Sequence, residues 1–317
     1  VNNRELSWNK ELGSAAWIST DFELSLDCRP VLLAIEQMTF AQMKPPEPPI
    51  LIVEECVVEN NSITISWKPQ VSNFVEGFVL EFDDGNDGPF REVYCGKESM
   101  CAVDGLHFGC NYRCRVKAFN STGESKHSEV ISLQTPDVAW FAFNAVTSSS
   151  EIRILNDKQT ATCESYENRV VLGNIGFSRG VHYWEITIDR YDGNADPAFG
   201  IAKCDVANDK MLGKDSKGWS MYIDNKRSWL LHNDHHEHRT EGGISTGSVV
   251  GVLLDLENRE LSFFVNDEKQ GPTAFTDLKG VFYPAISLNR NVQVTIHTAL
   301  DPPNIVELDT QSIAGQS

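Results

Sequence analysis

The chain has 317 residues, 41% hydrophobic and 23% charged, the composition of a globular protein with room for two domains. Its 27 Lys and Arg face 45 Asp and Glu, and the resulting charge of −18 repels phosphate backbones and anionic lipid. Nucleic-acid binding is therefore not expected, and with no apolar run near the ~20 residues of a membrane span, neither is membrane insertion.

The chain opens on Val1 without a basic-then-apolar leader, so a piece of a longer protein is expected. Residues 1–21 show no usable period. From Asp27 a short N-terminal helix is predicted: Pro30 suits a first turn, and Val31, Ile35 and Met38 recur at helical spacing. It should end before the prolines of residues 45–49, which cannot donate and disfavour helix in the residue before them.

Residues 45–136 read as a domain of short strands. Ile63, Ile65 and Trp67 alternate onto one face, Gly77–Phe82 forms a second strand closed by the turn-rich Asp83 to Pro89, and Tyr112–Asn120 forms a third. Thr135-Pro136-Asp137 marks a boundary. Residues 137–302 read as all-β. Trp184, Ile186 and Ile188 share one strand face, and Tyr183, Glu185 and Thr187 the other. Val250, Val252 and Leu254, then Leu261, Phe263 and Val265, alternate on both sides of a polar connection at 257–260 and predict a hairpin. Strands are also expected at 197–202, 218–223, 281–288 and 292–296. Residues 303–317 are polar and are expected to form a disordered tail.

These patterns carry resemblances. The Pro-rich entry, Trp67 and the run from Tyr112 to Gly123 (Tyr-x-x-x-Val-x-Ala-x-Asn-x-x-Gly) resemble a fibronectin type III domain, with Leu106 and Tyr112 at its corner. The WEIT of residues 184–187 and the LDLE of 254–257 resemble two signature motifs of the SPRY domain. That family's third motif, an LDP, is not found; residues 143–160 stand where it should lie. The fold class is therefore mainly β: a fibronectin type III sandwich, then a SPRY sandwich. Residues 22–44 look like the end of a COS box, assigning 1–44 to a COS-box remnant. The order of the three resembles the C-terminal half of class I tripartite-motif ubiquitin ligases. Ser287 to Val292 look closest to the neuronal axon-guidance branch.

Eight cysteines are present, five of them (Cys56, Cys95, Cys101, Cys110, Cys114) in the first domain, with no C-x-x-C pair. Small buried thiols in a reducing compartment account for them better than zinc or disulfides. The histidine-rich stretch His232 to His238 has zinc-ligating residue types but lies between the expected strands, where a solvated polar loop is the simpler reading. No Gly-x-Ser-x-Gly elbow and no phosphate-cradling glycine loop occurs, and carboxylate pairs such as Asp192 and Asp196 are ordinary in so acidic a chain. No catalytic residue, metal or cofactor is expected.

Binding is better motivated. In a SPRY sandwich the loops at one end carry specificity. The candidate protein-binding residues are Tyr191, Asp192, Asn194 and Asp196 in one loop, Tyr222, Trp229, His232 and Asn233 mid-domain, and Ser287, Asn289, Arg290 and Asn291 late in the domain. Trp229 reads equally well as core, and 289–291 as a structural turn. The acidic field favours a basic or apolar protein or peptide partner.

The resemblance implies a non-catalytic, substrate-recruiting region of a RING-type ubiquitin ligase whose RING domain is absent here. It further implies a cytoplasmic, cytoskeleton-associated location in neuronal processes, weak microtubule association, and a parent made dimeric by a coiled coil absent here. Netrin-receptor cytoplasmic tails are among its implied partners. The alternative is an extracellular adhesion fragment, for which Asn60-Asn61-Ser62 and Asn120-Ser121-Thr122 supply glycosylation sequons.

Overall fold

The computed structural model describes residues 6–9, 14–17, 44–70 and 74–303, with side chains from residue 44 onward. The predicted helix before the prolines and the tail from residue 304 lie outside the described residues. In the stretch without a period, Leu6–Asn9 (β1) pairs antiparallel with Ser14–Trp17 (β2). The remainder forms two compact units, the first made mainly of residues up to Pro136 and the second mainly of those from Asp137.

The first unit carries β3 (Ile50–Leu51), β4 (Val57–Glu59), β5 (Ser62–Lys68), β6 (Gly77–Phe82), β7 (Arg91–Gly96), β8 (Met100–Val103), β9 (Asn111–Asn120), β10 (Gly123–Glu124) and β11 (Ile131–Gln134). In one sheet β3, β4 and β8 pair with β5, and in the other β10, β6 and β11 pair with β9, while β7 extends β6. The alternating residues meet in the middle: Ile63, Ile65 and Trp67 from β5 pack with Phe78, Leu80 and Phe82 from β6 and Tyr112, Cys114 and Val116 from β9. Leu106 packs against the same core as Tyr112. Asp83 ends β6 as a buried cap. Its Oδ1 accepts from the amides of Gly85 at 3.1 Å and Arg113 at 3.0 Å, and Oδ2 accepts from Arg113 Nε at 2.8 Å.

The second unit begins with β12 (Ile152–Leu155), β13 (Thr160–Cys163), β14 (Arg169–Leu172), β15 (Val181–Arg190), β16 (Ala198–Ala202), β17 (Gly218–Ile223) and β18 (Arg227–His232). It continues with β19 (His235–Glu241), β20 (Val249–Asp255), β21 (Glu260–Val265), β22 (Glu268–Lys269), β23 (Tyr283–Leu288) and β24 (Gln293–Leu300). A seven-stranded sheet in the order β12-β13-β24-β15-β20-β21-β22 and a six-stranded sheet in the order β14-β23-β16-β17-β18-β19 share one core. Trp184, Ile186, Ile188, Val250, Val252 and Phe263 come from the first, and Phe199, Ile201, Met221, Leu230 and Ile286 from the second. Burying these large apolar side chains stabilises the sandwich by about 1.5–3 kcal/mol each.

One expectation is corrected. The histidine-rich segment is not a loop: His232 ends β18 and His235 starts β19, paired across a tight turn. Asn233 and Asp234 take φ of 51° and 60°, the left-handed pair that two-residue hairpins require. Period two was hidden because β19 is an edge strand exposed along most of its length.

Candidate protein-binding face

The inner face of the six-stranded sheet is spent on the core, so its outer face decides what the unit offers. On that face β16 and β23 present small side chains, Ala198, Gly200, Ala202 and Ala285. Small residues leave room for a covering segment, and residues 206–212 lie there with Leu212 fully buried. The Leu212 amide donates to Ser287 Oγ at 3.1 Å, and Ser220 Oγ donates to the Leu212 carbonyl at 2.6 Å.

Beyond that cover, β17 to β19 leave an aromatic array half-exposed. Tyr222 and Trp229 are cross-strand partners whose rings stack at 4.9 Å and 9°. The Arg227 guanidinium lies 5.3 Å from the Trp229 ring. His236 meets Tyr222 edge-on at 5.4 Å and shares a 2.9 Å hydrogen bond with its hydroxyl. Such a stack holds two large side chains rigid, and a rigid aromatic surface loses little entropy when a partner covers it.

Acidic groups border the array at one end. Along the strands the same face continues two residues past Ala198, Tyr222 and Ser287, to Asp196, Asp224 and Asn289. Asn289 Nδ2 donates to Asp196 Oδ1 at 3.3 Å. The phenol of Tyr222 is pushed up by burial and then by the carboxylates of Asp196 and Asp224. Tyr191 is pushed up to about 12 by burial, with Asp224, Asp192 and Asp196 adding to it. The loop between β15 and β16 is tied down by Tyr191, whose hydroxyl donates to the Ala195 carbonyl at 2.8 Å. Asp192 Oδ1 accepts from the Asn194 amide at 3.0 Å, and Gly193, at φ 82°, makes the turn.

Of the candidates read from the sequence, Tyr191, Asp192, Asn194, Asp196, Tyr222, Trp229 and Asn289 gather at this end. Arg290 and Asn291 form the exposed turn that follows Asn289, with φ of 48° and 63°, and Arg290 reaches toward Tyr166 with 5.9 Å to the ring. Ser287 is different. It is fully buried beneath Leu212 and offers a partner nothing. His232 and Asn233 also part from the group. His232 faces the interior side of the sheet, stacked on Trp219 at 4.5 Å, with Nδ1 donating to the Gly218 carbonyl at 2.7 Å. Asn233 lies at the far end of the hairpin, roughly 13 Å along the strand from Trp229. Arg227, Asp224 and His236 escaped the sequence reading; the period-two register from Tyr222 and Trp229 would have found Arg227 and Asp224 once β18 was recognised.

The outer face of the seven-stranded sheet contrasts with this. Its polar groups satisfy one another: Tyr183 donates to Glu185 at 2.8 Å, Thr187 and His297 share a 2.8 Å bond, and Thr295 donates to Asp189 at 2.7 Å. Among the described residues no three His, Cys, Asp or Glu side chains converge in metal-ligating geometry.

The family model of the fibronectin type III domain matches residues 46–134 and that of the SPRY domain residues 181–301. The chain is 52% identical to the E3 ubiquitin-protein ligase TRIM9 of Drosophila melanogaster over 96% of its own length and 43% of that protein's. Its fibronectin type III and SPRY matches stand in the arrangement of the C-terminal part of a tripartite-motif protein. Human fibronectin type III and SPRY domain-containing protein 2 is 27% identical over 83% of the chain and 38% of that protein. The chain thus spans less than half the length of these curated relatives. Among solved structures, the SPRY domain of human HERC1 covers 51% of the chain and 100% of its own at 21% identity, with a TM-score of 0.44. The aromatic array and its acidic border both lie within the SPRY match, while β12 to β14 complete the two sheets from residues that precede it.

Proposed function

We propose that this chain is the non-catalytic, substrate-recruiting part of a tripartite-motif RING-type ubiquitin ligase, and that its SPRY domain holds a protein or peptide on the face built by Tyr222 and Trp229. The observation that carries this reading is the stacked pair, left half-exposed where the neighbouring sheet surface is covered. The ligase assignment is supported by the identity to a protein named as a ubiquitin ligase. Catalysis would belong to a RING domain elsewhere in such a protein, and no cofactor is assigned to this chain.

A cytoplasmic, cytoskeleton-associated protein of neuronal processes, weakly linked to microtubules, active in axon guidance and dimeric through a coiled coil, is the corresponding reading for the parent. A netrin-receptor cytoplasmic tail is one partner of the right kind. The extracellular alternative is disfavoured by Asn120, the acceptor of one sequon, whose side chain is only 7% exposed and fully engaged within its domain.

The test is affinity capture from neuronal extract with the full chain, its Trp229→Ala variant and its Tyr222→Ala variant as bait. A partner retained by the wild type and lost by both variants, with thermal unfolding of the domain still cooperative, is the expected result. Equal retention by all three overturns the assignment of this face.

A further inference from the structure

Resting on the protein-binding reading above, we propose that the acidic end of the aromatic face is a subsite for an arginine side chain of the partner. Asp224 and Asp196 continue the sheet face there, and they differ in what they already hold. Asp224 is engaged: its Oδ1 accepts from the amides of Lys226 at 2.6 Å and Arg227 at 2.7 Å, and its Oδ2 stands 3.9 Å from the Arg227 guanidinium. Asp196 is half-buried, and among the described residues no cation reaches it within ion-pair distance; it accepts a single hydrogen bond, from Asn289.

Asn289 supplies an independent sign that a donor is missing. It is 3% exposed, its Nδ2 is committed to Asp196, and its Oδ1 has no hydrogen-bond partner. A buried amide acceptor left unmet is costly and is normally satisfied. A carboxylate without a cation beside an amide oxygen without a donor calls for a positively charged group with several N–H bonds. The neighbouring aromatic is Tyr222, backed by Trp229, and an aromatic face is a surface on which a guanidinium stacks well and a compact ammonium does so less. The protein already uses this chemistry once, with Arg227 over Trp229. Charge runs the same way, since a chain of −18 attracts a basic segment.

The full chain is used to probe an array of short synthetic peptides that varies every position through all amino acids. Bound peptides should share an arginine, and replacing it with citrulline, which keeps the shape and removes the charge, should weaken binding about tenfold or more. Asp196→Asn should erase the difference between arginine and citrulline, and Asp196→Lys should shift selection toward glutamate. Trp229→Ala should weaken every bound peptide. Binding that ignores citrulline and Asp196→Asn yet disappears with Trp229→Ala overturns the arginine subsite while leaving the binding face intact. Binding untouched by either substitution overturns both.

Discussion

Replacing Asn120 with alanine should destabilise the fibronectin domain by about 3 kcal/mol. The side chain ends β9 and ties three segments together. Nδ2 donates to the Lys44 carbonyl at 2.7 Å and to that of Phe74 at 3.1 Å. Oδ1 accepts from the Thr122 amide at 2.9 Å and its hydroxyl at 2.6 Å. Each neutral bond contributes about 1 kcal/mol net, and four would give about 4; the Thr122 hydroxyl can turn to water, which removes about one. Hydrogen exchange of the full chain in rising denaturant reads the two domains separately. Amides of β6 and β9 should lose about 3 kcal/mol of protection while those of β15 and β20 keep theirs. A loss below about 0.5 kcal/mol would refute the reasoning, because the bonds would then have no net worth. The same geometry bears on compartment. A glycan on Nδ2 would replace one of its two donated hydrogens, so passage through a secretory host should leave Asn120 bare, and a glycan found there would contradict the structure.

Further outcomes follow from single groups. Burial raises the Asp83 carboxyl, but the hydrogen bonds from Arg113 and Gly85 outweigh it and hold the group below its usual range. A depressed pKa gives stability above the unfolded value of about 3.9 that is lost as pH falls through the folded one, so acid should loosen the fibronectin domain below about pH 4. Asp83→Asn should flatten that dependence, as read by exchange across the same pH range. A thiol reagent followed by mass spectrometry should mark exposed Cys95 and Cys204 quickly and leave Cys114, pushed up to about 12 by burial, unreacted until unfolding. Gly200→Ala should unfold the SPRY domain by about 3 kcal/mol or more in thermal or denaturant melts. Its Cβ would stand 2.0 Å from the Trp219 carbonyl oxygen, and backbone on a neighbouring strand cannot step aside.

Legibility in the sequence followed burial. β15 is buried on one face only, so its alternation points straight at Trp184, Ile186 and Ile188. β20 and β21 are buried on both faces, and there the alternation of residue types points at Val252 and Phe263. β19 is exposed on both faces, carries no period and reads as a loop, although Asn233-Asp234 is the turn signal that reveals the hairpin. The binding face was half legible for the same reason. Tyr222 and Trp229 stood out as aromatics, whereas Arg227 and His236 join them through strand register, which no residue type announces. Ser287 misled because its cover, residues 206–212, belongs to no regular element. Hydroxyl side chains at strand ends look alike in sequence whether water or another segment lies over them.

Hydrogen-exchange footprinting of the full chain, with and without the partner recovered by capture, tests the central claim most directly. New protection should appear in residues 189–196 and in the strands carrying Tyr222, Trp229 and His236. Protection confined instead to the outer face of the seven-stranded sheet around Tyr183 and His297, or to the fibronectin domain, would contradict it.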